Sequence, residues 1–589
     1  LKRLNIILIF ILSITVLLLV RVYFLSIKSN TYYEELSKQN YIKRIYEAPS
    51  RGIIQDRNGV ALAINNLGFS LSIQPHLRSY KNKVRLEEIC ETIAQHFPEF
   101  SKEELVKKYH KLDSPYRHNY VKLIDYLPYD IFFSKYTIFN SMEGVEVQSA
   151  VKRHYPYGKT ASHIIGYVGK ASREDINENK VARYSGIIGK NGLEKFYNEK
   201  LQGELGYKDV KVNALNQHLE ILDEKEVSVD NNIKTTIDIE LQSYIHSIFD
   251  KKSGAVIVMD VHTGELLAAS SFPEFDNNIF VNGISHEQWE ELRSDFDHPF
   301  TNKLVNGLYP PGSVWKMGVA LSFLENNIDP DLSLYCPPEL KLGERSFRDW
   351  KPEGHGWTTF QKSIRESVDV FYYKLSLKVG INDMSQTMQK YGFGQKTGVD
   401  QVNEFIGINP NKEWKKEKYN KPWYMGETVN SSIGQGYVLV TPMQIARYTA
   451  MLATGKLPKP HFYEANYEEP KDININPEHL KIIQEGMHGV AHEDGGTALW
   501  HLQSSKVKLA SKTGTAQVVG IPQTEKERMK EHELEYYHRS HAWLTTYGPY
   551  KNPQYAVTVL VEHGGHGGSA GGPITAKIFN KLQELGYIK

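Results

Sequence analysis

The sequence predicts an α/β domain at its C-terminal end. It also predicts a strand-rich region with a helical insertion before that domain, and one membrane-spanning helix at the start. Three observations lead there. An uncharged apolar run opens the chain, the text changes character near Thr235 from short strands and turns to a helix and a hairpin, and strand patterns return at the far end after a long helical stretch. A domain with strands at both ends and helices between completes its sheet by bringing its two ends together.

The opening run reads LKRLNIILIFILSITVLLLVRVYFL. No charge occurs from Leu4 to Val20, and apolar character continues past Arg21 to Leu25. That is roughly 20 residues, the length that crosses a hydrocarbon core of about 30 Å. Lys2 and Arg3 favour a cytoplasmic N-terminus, and Arg21 can snorkel to the far interface. A cleaved signal peptide is the alternative, but the run is long for one and no small-x-small site precedes SNTYYEEL. Residues 1–25 are therefore expected to be an uncleaved anchor, with nearly everything after residue 25 outside the cytoplasm.

The 589 residues exceed the size of a single domain, and 40% hydrophobic residues suffice for real cores. Lys and Arg total 70 against 69 Asp and Glu, without the basic excess of a nucleic-acid binder, so no nucleic-acid partner is expected. Two cysteines, Cys90 and Cys336, exclude a disulfide-stapled framework. There is no internal repeat.

Residues 26–232 read as a separate region rich in short strands and turns. SNTYYEELSKQN, residues 29–40, is polar and helical in pattern, and RGIIQDRNGVALA places apolar strands on either side of the Asp56–Gly59 turn. KVRLEEICETIAQHF and SKEELVKKYHKL are amphipathic and mark an inserted head over residues 81–145. Residues 233–589 read as one α/β domain. A helix is predicted over Ile239–Phe249, with Leu241, Ile245 and Phe249 on one face. SGAVIVMDVHTGELLAASS is a hairpin, helices dominate from Ser313 to residue 455, and VKLASKTGTAQ, HAWLTTYGPY and QYAVTVLVEHG are strands before a closing helix.

Within YPPGSVWKMG, Pro310, Pro311 and Gly312 force a sharp approach to Ser313. If Ser313 opens a helix, Lys316 lies one turn on along the same face, a hydroxyl beside an amine as nucleophilic catalysis requires. The apolar residues Val314, Met317, Leu321 and Leu324 should bury that helix, whose dipole favours negative charge on the Ser313 oxygen. The plainer reading is a serine cap followed by a solvated lysine. A second Ser-x-x-Lys match, Ser505 to Lys508, sits in strand-like text and reads as chance. Ser367-Val368-Asp369 reads by itself as a helix cap with an acidic first turn, and Lys512-Thr513-Gly514-Thr515 as an edge strand with a glycine bulge. Together and in this order, the three elements are the set associated with penicillin-binding proteins and serine β-lactamases. His563 precedes the Gly564–Ser569 stretch and His566 lies within it; the stretch reads as a mobile turn before the last helix rather than a metal site.

With these motifs the whole chain resembles the class B penicillin-binding proteins, and the elongation type among them. The stretches that carry the resemblance are RGIIQDRNGVALA, RHYPYGKTASHIIGYVG, GLEKFYNEKLQG, GAVIVMDVHTGELLAASSFPEFDNN, FRDWKPEGHG, IGQGYVLVTPMQIA and SKTGTAQ. Asp369, where many relatives carry Asn, fits the elongation type. The resemblance implies a mostly antiparallel sheet with a helical subdomain on a dimerisation-type pedestal. It implies a peptidoglycan D,D-transpeptidase that is also acylated by β-lactams. Ser313 would be the nucleophile, with Lys316 taking its proton, Ser367 relaying a proton to the leaving amine, and Asp369 holding both. Lys512 and Thr513 would bind the donor carboxylate, Gly514 lies between them and Thr515, and the N–H groups of Ser313 and Thr515 would form the oxyanion hole.

It further implies peptidoglycan stem peptides as substrate, and a RodA-like glycosyltransferase and a MreC-like activator as partners. No cofactor is required for the chemistry. Some relatives of the elongation type hold a structural zinc with two Asp, one His and one Cys. Here Cys336, Asp349 and His355 are the candidates, with two departures: Cys336 stands where those relatives carry Asp, and Val368 where they carry Cys. The plainer reading is a hydrogen bond between Asp349 and His355, with Cys336 a small buried hydrophobe. A serine β-lactamase, a β-lactam-sensing module and a scaffold with a dead site are the competing functions. The anchor and pedestal, the missing cytoplasmic domain and the full set of catalytic residue types speak against them in turn.

Overall fold

The computed structural model describes residues 2–28, 42–77, 83–115, 120–212, 218–227, 230–249, 251–518 and 531–589. The helix expected over residues 29–40 lies outside them, as do the first two residues of the head. The chain forms two compact units, one of Leu1–Gly52, Lys170–Ile188 and Glu199–Asn231, the other of Ile53–Gly169, Gly189–Asn198 and Asn232–Lys589.

The first unit contains the apolar helix Lys2–Tyr23, continued as a wider turn over Phe24–Lys28. It is the one stretch among the described residues long and apolar enough to cross a membrane. Its two mid-helix hydroxyls turn inward: Ser13 donates to Ile9 O and Thr15 to Ile11 O, each at 2.9 Å. Polar groups bound within the helix are what hydrocarbon surroundings demand. The rest of this unit includes the antiparallel sheet Ile42–Glu47, Gly206–Val212, His218–Lys225, in that order.

In the second unit, the long strand Ala61–Ile73 pairs antiparallel with both Val121–Pro128 and Val145–His154. The head helices Lys83–His96 and Lys102–Leu112 belong to the same core. Leu86, Ile89, Ile93 and Phe97 recur at helical spacing and are buried with Tyr109, Phe132 and Phe139. Ser101 caps the second helix by accepting the Glu104 N–H.

The same unit holds a five-stranded antiparallel sheet in the order Leu266–Phe272, Gly254–Asp260, Tyr555–Val561, His541–Gly548, Ala510–Ala516. The expected hairpin, the helix Ile239–Phe249 and the three C-terminal strands are all present. Every residue of Leu266–Phe272 and Tyr555–Val561 is buried, so both sheet faces are covered. The helices Ile239–Phe249, Gly567–Glu584 and Pro442–Thr454 pack on it.

Residues 53–169 pack into one unit with the segment after residue 232. Buried polar groups tie them: Asn277 Nδ2 donates to Ser162 O (3.0 Å) and Gly166 O (2.8 Å), and Asp56 accepts the Ile239 N–H at 3.3 Å. The Ser505–Lys508 stretch is a turn, not a strand, with Ser505 bonded to Val507; the strand begins at Ala510. The Gly564–Ser569 stretch is no free turn. Gly567 and Gly568 are buried at the helix start, where a Cβ on Gly567 would run into Trp543 O and a Cβ on Gly568 would lie 2.8 Å from Thr497 O.

Burial also sets a pH limit. His163 is fully buried in this unit with Nε2 2.6 Å from Pro299 O, and burial, reinforced by the Lys303 charge, pushes its pKa down to about 4 from 6.5. Between those values the unfolded chain takes up a proton that the folded protein refuses. This contribution is complete above pH 6.5 and is lost as the pH falls toward 4, at ~1.4 kcal/mol per pH unit. Unfolding midpoints measured from pH 7 to 4 should therefore fall less steeply for His163→Gln than for the unmodified protein; parallel curves would contradict the assignment.

Candidate active site

The approach to Ser313 is pinned on both sides. Tyr309 exchanges backbone hydrogen bonds with Val440 (3.0 and 2.9 Å), and its hydroxyl donates to Glu562 at 2.6 Å. Trp543 Nε1 donates to Pro310 O at 3.1 Å. Gly312 takes a φ of 55°, its N–H donates to Gly434 O at 3.0 Å, and a Cβ there would lie 2.7 Å from Thr515 O. Only glycine meets both demands cheaply. Ser313 follows in a 3₁₀ turn, Gly312–Trp315, that feeds the helix Lys316–Glu325. Ser313 is half-buried between fully buried neighbours. Lys316, one turn on, is completely buried, so the solvated-lysine reading fails.

The Lys316 ammonium donates to Asp369 Oδ1 at 2.6 Å, Ser367 O at 2.8 Å and Ser367 Oγ at 3.3 Å. Those contacts occupy all three of its N–H groups. Lys512, also completely buried, donates to the same Ser367 Oγ at 2.9 Å and to Thr513 O at 3.0 Å. One serine hydroxyl therefore bridges two lysines. Burial, reinforced by the Lys316 charge, drives the Lys512 pKa well below its ordinary value. Burial raises the Asp369 carboxyl, and Lys316 pulls it back. Two amines facing one carboxylate leave room for one more negative charge, which suits an anionic ligand.

Ser367 does not cap a helix. It sits at φ 56°, a left-handed conformation that costs a non-glycine residue about 1–2 kcal/mol. The helix Asp369–Val379 starts with Val368 in the cap position, which offers no side-chain acceptor. Asp349 supplies one instead, its Oδ2 accepting the Val370 N–H at 3.1 Å. Lys512, Thr513, Gly514 and Thr515 lie on the edge strand Ala510–Ala516. Its register with His541–Gly548 runs unbroken through Gly514, so the expected bulge is absent. Glycine is needed for another reason: a Cβ at Gly514 would stand 3.0 Å from Pro311 O, where the nucleophile turn crosses the strand.

Two neighbours that the motifs do not announce complete the site. Thr497 Oγ1 lies 2.6 Å from Thr513 Oγ1, and Gln435 Nε2 donates to Thr515 O at 3.5 Å. Neither carries a local signal, although Gln435 lies within the quoted IGQGYVLV stretch.

Of the zinc candidates, Asp349 and His355 meet and Cys336 does not join them. His355 Nε2 is 3.1 Å from Asp349 Oδ1, while its Nδ1 is 3.1 Å from Glu366 Oε2. The two carboxylates thus sit on opposite sides of the ring and share no common centre. The Cys336 thiol turns to Leu334 O at 3.6 Å, and Val368 offers no donor. Among the described residues no group of three or more His, Cys, Asp or Glu is placed to hold a metal ion. The side chains present do not fit a four-coordinate zinc site.

The sequence matches the penicillin-binding protein transpeptidase domain over residues 254–584 and the penicillin-binding protein dimerisation domain over residues 46–235. The chain belongs to the penicillin-binding protein transpeptidase family. This penicillin-binding protein is 34% identical to the peptidoglycan D,D-transpeptidase MrdA of Escherichia coli K12 over 586 residues, covering 95% of this chain and 91% of that one. Identity to MrdA of Haemophilus influenzae is also 34%, covering 97% and 90%. It is similar to penicillin-binding protein 2 of Helicobacter pylori solved in complex with MreC, with a TM-score of 0.86, 44% identity and coverage of 93% and 99%. It also resembles the Pseudomonas aeruginosa PBP2 solved with WCK 5153, with a TM-score of 0.68, 28% identity and coverage of 92% and 96%. The family and the fold thus agree with the sequence reading, down to the penicillin-binding protein 2 type.

Lys512 binds an anion only while protonated, and its lowered pKa moves the loss of that charge below the ordinary lysine value of 10.5. The acylation rate with benzylpenicillin should accordingly decline on the alkaline side before pH 10.5, while the protein stays folded by circular dichroism. A rate that is flat to that pH would contradict this electrostatic account.

Proposed function

We propose that this protein is the peptidoglycan D,D-transpeptidase of cell elongation, working through a serine acyl-enzyme. The observation that carries the reading is Ser367 Oγ held between Lys316 and Lys512 beside the Ser313 turn. The MrdA relatives, named as peptidoglycan D,D-transpeptidases, support it. The donor stem peptide places its terminal carboxylate at Lys512 and Thr513. That carboxylate supplies the negative charge the two amines lack. In the reactive form Lys316 is the free amine: as Ser313 Oγ attacks the penultimate D-alanine carbonyl, its proton passes to the Lys316 nitrogen, which thereby becomes the ammonium that can return a proton to Ser367. Negative charge developing on the carbonyl oxygen faces the N–H groups of Ser313 and Thr515. The peptide C–N bond breaks, and Ser367 passes a proton to the departing D-alanine nitrogen. An amine of a neighbouring stem peptide then attacks the ester, regenerating Ser313 and forming the cross-link. A β-lactam enters the first half of the same sequence and stays bound.

The helix Lys2–Tyr23 makes the protein a single-pass membrane protein in this reading, with the catalytic domain in the periplasm on the inner membrane. A MreC-like activator is the expected partner, since the H. pylori relative was solved in complex with MreC. A RodA-like glycosyltransferase is the expected source of new glycan strands.

Ser313→Ala should abolish covalent labelling by a fluorescent penicillin, while Ser505→Ala labels as the unmodified protein does. After an unlabelled chase the adduct should persist. Undiminished labelling of Ser313→Ala would refute the nucleophile, and rapid loss of label would turn the reading to a β-lactamase.

A further inference from the structure

We infer that Asp349, His355 and Glu366 form a metal-free clamp that holds the strained Ser367 turn in its working shape, with His355 as the positioning residue. The inference rests on the proposed acyl-enzyme reading and concerns how its proton relay is kept in place.

The clamp has three layers. The first is His355, whose side chain is 1% exposed and whose two ring nitrogens each meet a carboxylate oxygen at 3.1 Å, Asp349 on one side and Glu366 on the other. The second is the pair of grips on the Ser367 turn. Before it, the Glu366 side chain is bound by His355, and the Glu366 carbonyl accepts Trp350 Nε1–H at 3.1 Å. After it, the Val370 N–H is bound by the other oxygen of Asp349. Residues 366 and 370 are thus fixed from one three-residue relay, and the left-handed Ser367 is the segment between the fixed points. The third layer anchors the relay itself. The Asp349 N–H donates to Pro338 O at 2.7 Å, the His355 N–H to Cys336 O at 3.0 Å, and Lys362 Nζ to His355 O at 2.7 Å. Cys336 serves through its backbone, which explains why its thiol can face away.

Loss of the ring would remove one partner each from the Glu366 and Asp349 carboxylates, loosening the side chains that grip both ends of the turn. Ser367 Oγ would then drift relative to Lys316 and Lys512. A shift of this kind at a proton relay lowers the rate of the chemical step far more than it weakens binding. Zinc does not enter this arrangement, because both His355 nitrogens are engaged with carboxylates that point to different places.

Acylation of the full-length protein by a fluorescent penicillin, followed over a range of concentrations, separates the binding constant from the acylation rate constant. His355→Ala and Glu366→Ala should lower the rate constant by about tenfold to a hundredfold and leave the binding constant within about twofold. Glu366→Gln keeps an oxygen for the relay and should recover to within about threefold of the unmodified protein. Should the alanine variants fail to fold, Trp350→Phe decides: it removes one grip on the Glu366 carbonyl from a half-exposed ring, and should slow acylation about threefold without moving the melting temperature. Metal analysis of protein made without a histidine tag should find far less than one zinc per chain, and a chelator should leave the rate unchanged. Alanine variants that acylate normally would overturn the clamp. So would a Glu366→Gln as slow as Glu366→Ala, a Trp350→Phe of normal rate, or about one zinc per chain whose removal slows the reaction.

Discussion

The constraint on which the rest depends is the burial of two lysine ammonium groups around one serine hydroxyl. Taking such a charge out of water costs several kcal/mol unless every N–H finds an acceptor. Lys316 meets that condition with Asp369 and two atoms of Ser367, and Lys512 leans on the same hydroxyl. The acceptors come from one turn, the donors from a helix and an edge strand that are far apart in sequence. A displacement of half an ångström would leave a buried donor unpaired, so the fold must fix three segments against one another. Everything near the site follows from that demand.

For two of the three segments, the Ser313 turn and the Lys512 strand, backbone-to-backbone packing does the fixing. The Ser313 turn lies directly on the edge strand, where a Cβ on Gly312 would stand 2.7 Å from Thr515 O and one on Gly514 3.0 Å from Pro311 O. Antiparallel pairing holds that strand to His541–Gly548, which in turn pairs with Tyr555–Val561 in the buried middle of the sheet. Side chains could not hold these distances as tightly, because each adds rotatable bonds, whereas peptide planes add none. A rigid sheet edge carrying Lys512 and a helix start carrying Ser313 thus become one surface.

Much of this is legible in the sequence, and the reason is locality. The Ser313 element, the Ser367 element and the Lys512 element are each contiguous, and each carries its own punctuation: Pro-Pro-Gly before one, an apolar helix after another, alternation around the third. The hairpin and the helix Ile239–Phe249 are read for the same reason. The rest is non-local. Thr497 beside Thr513 has no sequence signature, since the two come from a loop and a strand that meet only in the fold. The second partner of His355, Glu366, was hidden because the sequence suggests metal donors by type and cannot show on which side of a ring each carboxylate stands. Lys316 reads locally as a solvated first-turn residue; only the fold reveals its burial. The Ser505 match misleads in the opposite sense, since alternating lysines imitate a strand in what is a turn.

Arg365 joins the two halves of the site that the motifs present as separate. Its guanidinium donates to Glu366 at 2.9 Å and to Glu493 at 2.8 Å, and its carbonyl accepts the Thr497 N–H at 3.3 Å. Glu493 and Thr497 belong to the loop that presents a hydroxyl to Thr513, and Glu366 belongs to the turn that presents Ser367. A carboxylate arriving at Thr513 therefore meets a side chain whose support is shared with the proton relay. Strain such as that at Ser367 persists only where the surroundings over-determine it, and here the same arginine braces both the strained turn and the residue that receives the substrate. Substrate recognition and proton transfer, though carried by residues more than a hundred positions apart, thus rest on one hydrogen-bonded frame.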